Sequence, residues 1–303
     1  MKNFKIITLL IAGTIFMVSC GPQTSKEDQA KAQEMAEFDK KSEELRAKAR
    51  EIFDKLPPAT EVAARIQATG ADFNGDLVND PGNVDTYLAI EGREGLQAAL
   101  VGIYISDMGY LSAYGQPARA TFDAAQKLSD KLGVGRAFDE GVAIRYFEKI
   151  DQNEEAKKIL NEAYANASKN LRTENRELIS AAAATGVFIE GLYLLTSIVD
   201  TYPKDMLPDD VRNNILGPLV KGILEREATL DKLIEIDKAL LEGVDNTQAD
   251  FFLYDMEDLK ASFAKLDVAG KMETEGASLV LNDETLAEIT QKVASIREKI
   301  VVQ

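Results

Sequence analysis

The chain reads as an all-α protein, an irregular multi-helix bundle or a stack of helical hairpins with about ten helices and no significant sheet. Three observations lead there. Apolar residues recur at helical spacing from about residue 27 to residue 300, and strand-like alternation is almost absent. Two stretches, Gly95–Gly115 and Ile179–Val199, are apolar on every side when wound at about 100° per residue. A helix with no polar face must be surrounded, so these two belong at the centre and the amphipathic segments around them. Each carries a single acid in mid-length, Asp107 in the first and Glu190 in the second.

The N-terminus comes first in chain order. Lys2 and Lys5 precede an apolar run from Ile6 to Val18, and Met17-Val18-Ser19-Cys20-Gly21 follows. Cys20 is the only cysteine in 303 residues. It stands where the segment resembles a bacterial lipobox, with Met17 in place of the usual leucine. The resemblance implies cleavage before Cys20, diacylglycerol on its sulfur and acylation of its new amine. Several acyl chains hold a protein on a bilayer far better than one. Residues 1–19 are thus expected as a cleaved signal peptide, 20–26 as a lipidated polar tether and 27–303 as a single helical domain. Gly21, rather than aspartate, after the cysteine favours the outer membrane by the same resemblance. Ser25-Lys26-Glu27-Asp28 looks like an acidic surface-export tag placed several residues late, so the periplasmic side and the cell surface both stay open.

An amphipathic helix spans Glu27 to Leu56 and stops at Pro57-Pro58. A short helix, Thr60 to Ala68, has threonine as its expected cap. ADFNGDLVNDPGNVD is the long turn-rich segment before the centre. Asp72, Asn74 and Asp76 alternate as in a calcium loop, but glycine falls fourth instead of sixth and the twelfth residue is Asn83, so Asx turns are the better account. Val84–Ile90 makes a short helix, then Gly95–Gly115 the first central one. Its small residues (Ala98, Gly102, Ser106, Gly109, Ala113) form a ridge opposite Leu96, Leu100, Ile103, Tyr104, Tyr110, Leu111 and Tyr114.

Ala118–Leu132 follows, closed by Gly133-Val134-Gly135. That connection has no strand before it, so a phosphate-loop reading fails. Arg136–Ile150 is expected as one helix, Asn153–Asn170 as a polar outer helix capped by Asp151, and Thr173 as the cap of a long helix reaching Val199. Val211–Glu242 reads as a helix bent at Pro218, Thr247–Leu266 as another, and Asp283–Ile300 as the last, capped by Asn282. Either central stretch is long enough to span a bilayer. The isolated carboxylates argue for burial in protein instead, where a partner can be supplied.

Composition limits the chemistry. The chain has no histidine and no tryptophan, and its formal charge is −16, or −18 once Lys2 and Lys5 are removed. Ser-His-Asp and Cys-His units, His or multi-Cys zinc sites and His-ligated haem are excluded. The acidic surface disfavours nucleic acid. No cofactor, resident metal or catalytic residue is assigned.

The blocks LVNDPGNVDTYLAIEGREGLQAALVGIYISDMGYLSAYGQ, KLGVGRAFDE and GVFIEGLYLL, between Val62 and Val199, resemble a group of uncharacterised all-helical lipoproteins of Bacteroidota-type bacteria. The resemblance implies fold and address, and no activity.

One constellation remains. Asp107 and Glu190 sit with Tyr104, Tyr110, Tyr114 and Tyr193 within one or two turns, and Arg145 in GVAIRYFEKI is the cation expected to meet one of the acids. Such a set makes either a ligand pocket or a network of carboxylate, guanidinium and phenol groups locking helix register. A cluster of Asp250, Asp255, Glu257 and Asp258 beside Phe251, Phe252, Leu253 and Tyr254 reads as a solvated face over core aromatics. The lysines at 157, 158 and 169 show no basic patch. Two function classes stay open. One is a noncatalytic envelope lipoprotein that binds or scaffolds an envelope protein or small molecule, held to the membrane through Cys20. The other is an envelope enzyme acting on a glycan through Asp107 and Glu190.

Overall fold

The computed structural model describes residues 40–41, 43–173, 176–202, 208–241, 252–266 and 284–301. The chain divides into two compact units, Met1–Lys41 and Ser42–Gln303. Of the first only two residues are described, so the signal peptide, the tether and Cys20 lie outside the described residues, and all that follows concerns the second.

Helix α1 (residues 43–53) ends before Pro57-Pro58. Then come α2 (Glu61–Ala68), α3 (Val84–Leu88), α4 (Glu94–Ala113), α5 (Arg119–Lys131), α6 (Glu140–Glu148) and α7 (Asn153–Thr173). The chain continues with α8 (Glu177–Thr201), α9 (Asp209–Glu225), α10 (Glu227–Leu241), α11 (Leu253–Lys265) and α12 (Glu284–Val301). Short 3-10 turns cover Gly75–Leu77, Pro81–Asn83 and Gly135–Phe138. The described residues contain no strand.

The two apolar segments are the inner pair. Every residue of α4 from Gly95 to Ala113 is buried, and so is nearly all of α8 from Ser180 to Val199. They touch backbone to backbone. A Cβ on Gly102 would strike the Ala183 carbonyl, and one on Gly186 would strike the Ala99 carbonyl. Only hydrogen at these two positions allows the approach. The amino end of α2 lies across both helices at their next glycines, with Thr60 against Gly109 and Val62 against Gly191. Helices α7, α9, α10 and α12 complete the wall around α8, and α5 packs on α4. Because α8 touches so many others, the architecture is a bundle and not a stack of neighbour-only hairpins. Among the described residues, α8 is the one helix long and apolar enough to cross a membrane; 83% of its most apolar window is buried inside the protein.

Four local expectations change. Thr60 does not cap α2 with its side chain; it exchanges hydrogen bonds with Asn161 of α7, whose Oδ1 accepts from the Thr60 N–H. Residues 136–150 are not one helix, because extended Asp139 interrupts them and its carboxylate accepts from Val142 N–H to start α6. Thr173 ends α7 rather than capping α8. The bend expected at Pro218 is instead a break at Arg226, between α9 and α10, with Pro218 kept inside α9. Residues 247–251, and the expected cap Asn282, lie outside the described residues.

The turn-rich segment is built on Asx turns. Asn74 Oδ1 accepts from Asp76 N–H at 3.0 Å, and Asp80 Oδ1 from Gly82 N–H at 2.8 Å.

Candidate functional site

A turn beyond the glycine contact, α8 presents Glu190, and α4 presents Asp107 beside it. Both side chains are 0% exposed. An unpaired ion in such surroundings is costly, so each carboxylate must find a cation, a donor or a proton. Glu190 finds Arg297 of α12. The guanidinium donates from Nε to Oε2 at 2.6 Å and from Nη2 to Oε1 at 3.1 Å, a two-pronged charged contact. Nη2 also donates to the Leu77 carbonyl at 3.1 Å, and the guanidinium lies 4.3 Å over the Tyr193 ring. Burial alone would lower the Arg297 pKa; the Glu190 carboxylate more than offsets it, and the pKa is raised.

Asp107 is satisfied differently. Its Oδ2 accepts from Asn79 N–H at 3.1 Å, while Oδ1 faces no donor. Burial first, and the Glu190 charge second, push its pKa well above the carboxylate range. Burial also raises Glu190, but Arg297 pulls it back. Burial and the Glu190 charge thus favour the protonated form of Asp107, which in that form can donate to Glu190. With that proton, the two acids and one guanidinium leave no net charge in the core.

The tyrosines have another task. Tyr104 donates to the Asp80 carbonyl at 3.2 Å, Tyr110 accepts from Asn74 N–H at 3.1 Å, and Tyr114 donates to the Ala71 carbonyl at 2.6 Å. Phe73 packs against the rings of Tyr110 and Tyr114, with centroids 5.4 and 5.6 Å apart. Positions 104, 107, 110 and 114 share one side of α4. Each holds backbone of the segment 71–80, and Arg297 adds its bond to Leu77. The face expected to line a ligand pocket is covered by the protein's own loop.

Of the expected residues, Asp107, Glu190, Tyr104 and Tyr193 come together, and Tyr110 and Tyr114 extend the same face along the loop. Arg145 does not join them. Val142, Ala143 and Tyr146 are the buried side of α6, and Arg145 is exposed beside Ile144, which is 52% exposed. The cation at the acids is Arg297, which sequence reasoning missed. The available signal was its place beside the stripe Ile289, Val293, Ile296 and Ile300, all buried.

Around α11, Phe252 is buried and Tyr254 is 77% exposed, so the aromatics divide between core and solvent. The acids there pair with lysines: Asp255 with Lys299, Glu257 with Lys238 and Asp258 with Lys292. Asp250 and Phe251 lie outside the described residues. Among the described residues no group of three or more His, Cys, Asp or Glu side chains is placed to hold a metal ion.

Two cavities among the described residues are open to the outside. One, of about 20 Å³, is lined by Leu56, Pro57, Tyr164, Phe188 and Arg226 among others. The other, of about 670 Å³, lies where the amino end of α6 meets the carboxyl half of α7, with Arg145 in its wall. Neither reaches Asp107 or Glu190. Comparison with known protein families, with curated proteins and with solved structures finds no match for this chain.

Proposed function

We propose that this protein is a noncatalytic helical binding or scaffolding module of a bacterial envelope, tied to the outer membrane by lipid on Cys20. The observation that carries the noncatalytic part is the closure of the acid pair. Asp107 and Glu190 have no exposed surface, Glu190 is held by the Arg297 guanidinium, and both lie under the 71–80 segment. A glycosidase needs its carboxylates on either side of a bound sugar, with room for that sugar between them. Here the two carboxyls interact with each other directly, and backbone of Asn79 and Leu77 bonds Asp107 and Arg297 over them, so no sugar's width separates the acids. What supports the address is the run Met17-Val18-Ser19-Cys20-Gly21 after an apolar segment, and the resemblance to helical lipoproteins of Bacteroidota-type bacteria supports the same reading. Its partners on this reading are the membrane and an envelope protein or small molecule.

The test is made in a bacterial host fed an alkyne-bearing fatty acid. The full chain should take up the label and sediment with membranes, and its mature N-terminus should be an acylated Cys20 by mass spectrometry. Cys20→Ala should lose label and cleavage together. An unlabelled wild-type chain would overturn the anchor. Soluble fragments released from peptidoglycan by the wild type, and not by Glu190→Gln, would overturn the noncatalytic reading.

A further inference from the structure

The cleft of about 670 Å³ between α6 and α7 differs in charge from the rest of this acidic protein. Its polar lining is Arg136, Arg145 and Lys169, with Asn166, Asn170 and Asp139. The three cations come from three segments, the 135–138 turn, α6 and α7, and the antiparallel α6–α7 hairpin brings them together. Asn166, Lys169 and Asn170 share one face of α7 at spacings of three and four.

Several basic side chains elsewhere pair with acids: Arg119 with Asp123, Lys127 with Asp85, Arg172 with Asp54, Arg176 with Glu94. Among the described residues, Arg136, Arg145 and Lys169 make no ion pair, and the amides of Asn166 and Asn170 make no hydrogen bond to the protein. The one acid in the wall, Asp139, already has an oxygen committed to the first turn of α6. The cleft therefore carries two uncompensated positive charges in a chain whose net charge is −16.

From this we infer that the cleft is a binding site for a phosphate monoester on a hydroxylated small molecule, the class of a sugar phosphate. Two guanidinium forks match the oxygens of a phosphate group, and the excess of two charges matches its dianion. A monoanionic carboxylate would leave one cation unanswered. The two asparagine amides, each donor and acceptor, suit neighbouring hydroxyls. Only Ala137, Gly141 and Val142 supply apolar wall, too little for a hydrophobic ligand. The volume falls within the range of small-molecule sites. This site is independent of the acid pair and of the lipid anchor.

Isothermal titration of the full chain in a non-ionic detergent, at low salt, tests it with glucose 6-phosphate, glucose and inorganic phosphate as probes. Glucose 6-phosphate should bind saturably, more tightly than inorganic phosphate, and more weakly as sodium chloride is added. Glucose alone should give no saturable heat. The double variant Arg145→Gln/Lys169→Gln, both sites being exposed, should melt like the parent and bind at least roughly tenfold more weakly. No saturable binding of glucose 6-phosphate to the parent, or equal binding by the double variant, would overturn the site. Equal affinity for inorganic phosphate would overturn the assignment of Asn166 and Asn170 to hydroxyls.

Discussion

Arg297 and Arg145 stand in the same place on their own helices, yet one is sunk among carboxylates and the other faces water. Each flanks an apolar stripe: Ile289, Val293, Ile296 and Ile300 on α12, and Val142, Ala143 and Tyr146 on α6. What differs is the neighbour. Helix α12 lies against α8, which is buried almost all round, so a flanking residue there meets Glu190. Helix α6 is nine residues long and packs on α7 at the edge of the bundle, so its flank meets an open cleft. A position beside the stripe is thus undetermined by its own helix. The surface that helix is laid against decides whether it becomes core or site.

Substitutions can widen or collapse that contrast. The largest effect is expected for Arg297→Ala, which leaves Glu190 buried with no cation. Such losses cost about 3–5 kcal/mol, and denaturant unfolding should show it. Adding Glu190→Gln to the same chain should return much of the loss, because the stranded charge goes with it. Next is Gly186→Ala, whose methyl would collide with the Ala99 carbonyl. Forcing α4 and α8 apart should cost about 1–3 kcal/mol, and the shift should also disturb the Asp107–Glu190 contact.

Asp107→Asn tests the shared proton. Burial and the Glu190 charge favour the protonated form of Asp107 in the folded chain, whereas the unfolded carboxyl is ionised at neutral pH, so folding favours proton uptake. The stability it contributes is full below the unfolded value, near pH 4, and is lost as pH rises toward the raised folded value. Asparagine needs no proton, and its amide can donate to Glu190 as the acid did. Stability of the variant relative to wild type should therefore grow between pH 5 and pH 8, by at most about 1.4 kcal/mol per pH unit. A difference that stays flat with pH would place the proton elsewhere. Smallest is Arg145→Gln, an exposed change expected to move stability by less than about 0.5 kcal/mol. The same measurement on Arg145 and Arg297 thus gives opposite ends of the scale.

The centre of the fold was legible because its signal is local. Gly95–Gly115 and Ile179–Val199 have no polar side, and each isolates one acid in an apolar run, which is enough to predict burial and a need for partners. The small ridge around Gly102, and Gly186 one turn before Glu190, were legible as places of close approach. The partner of the acids was not. Arg297 is 107 residues from Glu190 and sits on an ordinary amphipathic helix, where periodicity treats every charge as a surface charge. Arg145 looked better only because its sequence neighbours are apolar. The cover over Asp107 was hidden for a related reason. Tyr104, Tyr110 and Tyr114 are spaced to share a face, but nothing in that spacing says whether the face meets a ligand or the chain's own 71–80 segment. The cationic cleft was equally hidden, since its three charges come from separate segments and no basic run marks it.

The clamp at Leu77, Glu190 and Arg297 also fixes an order of events during synthesis. When α4 and α8 have left the ribosome, their acids still await a guanidinium encoded more than a hundred codons downstream. The inner pair cannot settle into its final ionic state until that late segment arrives. The bundle is therefore sealed from its carboxyl side, with one arginine acting as the closing fastener for a loop and two helices made long before it.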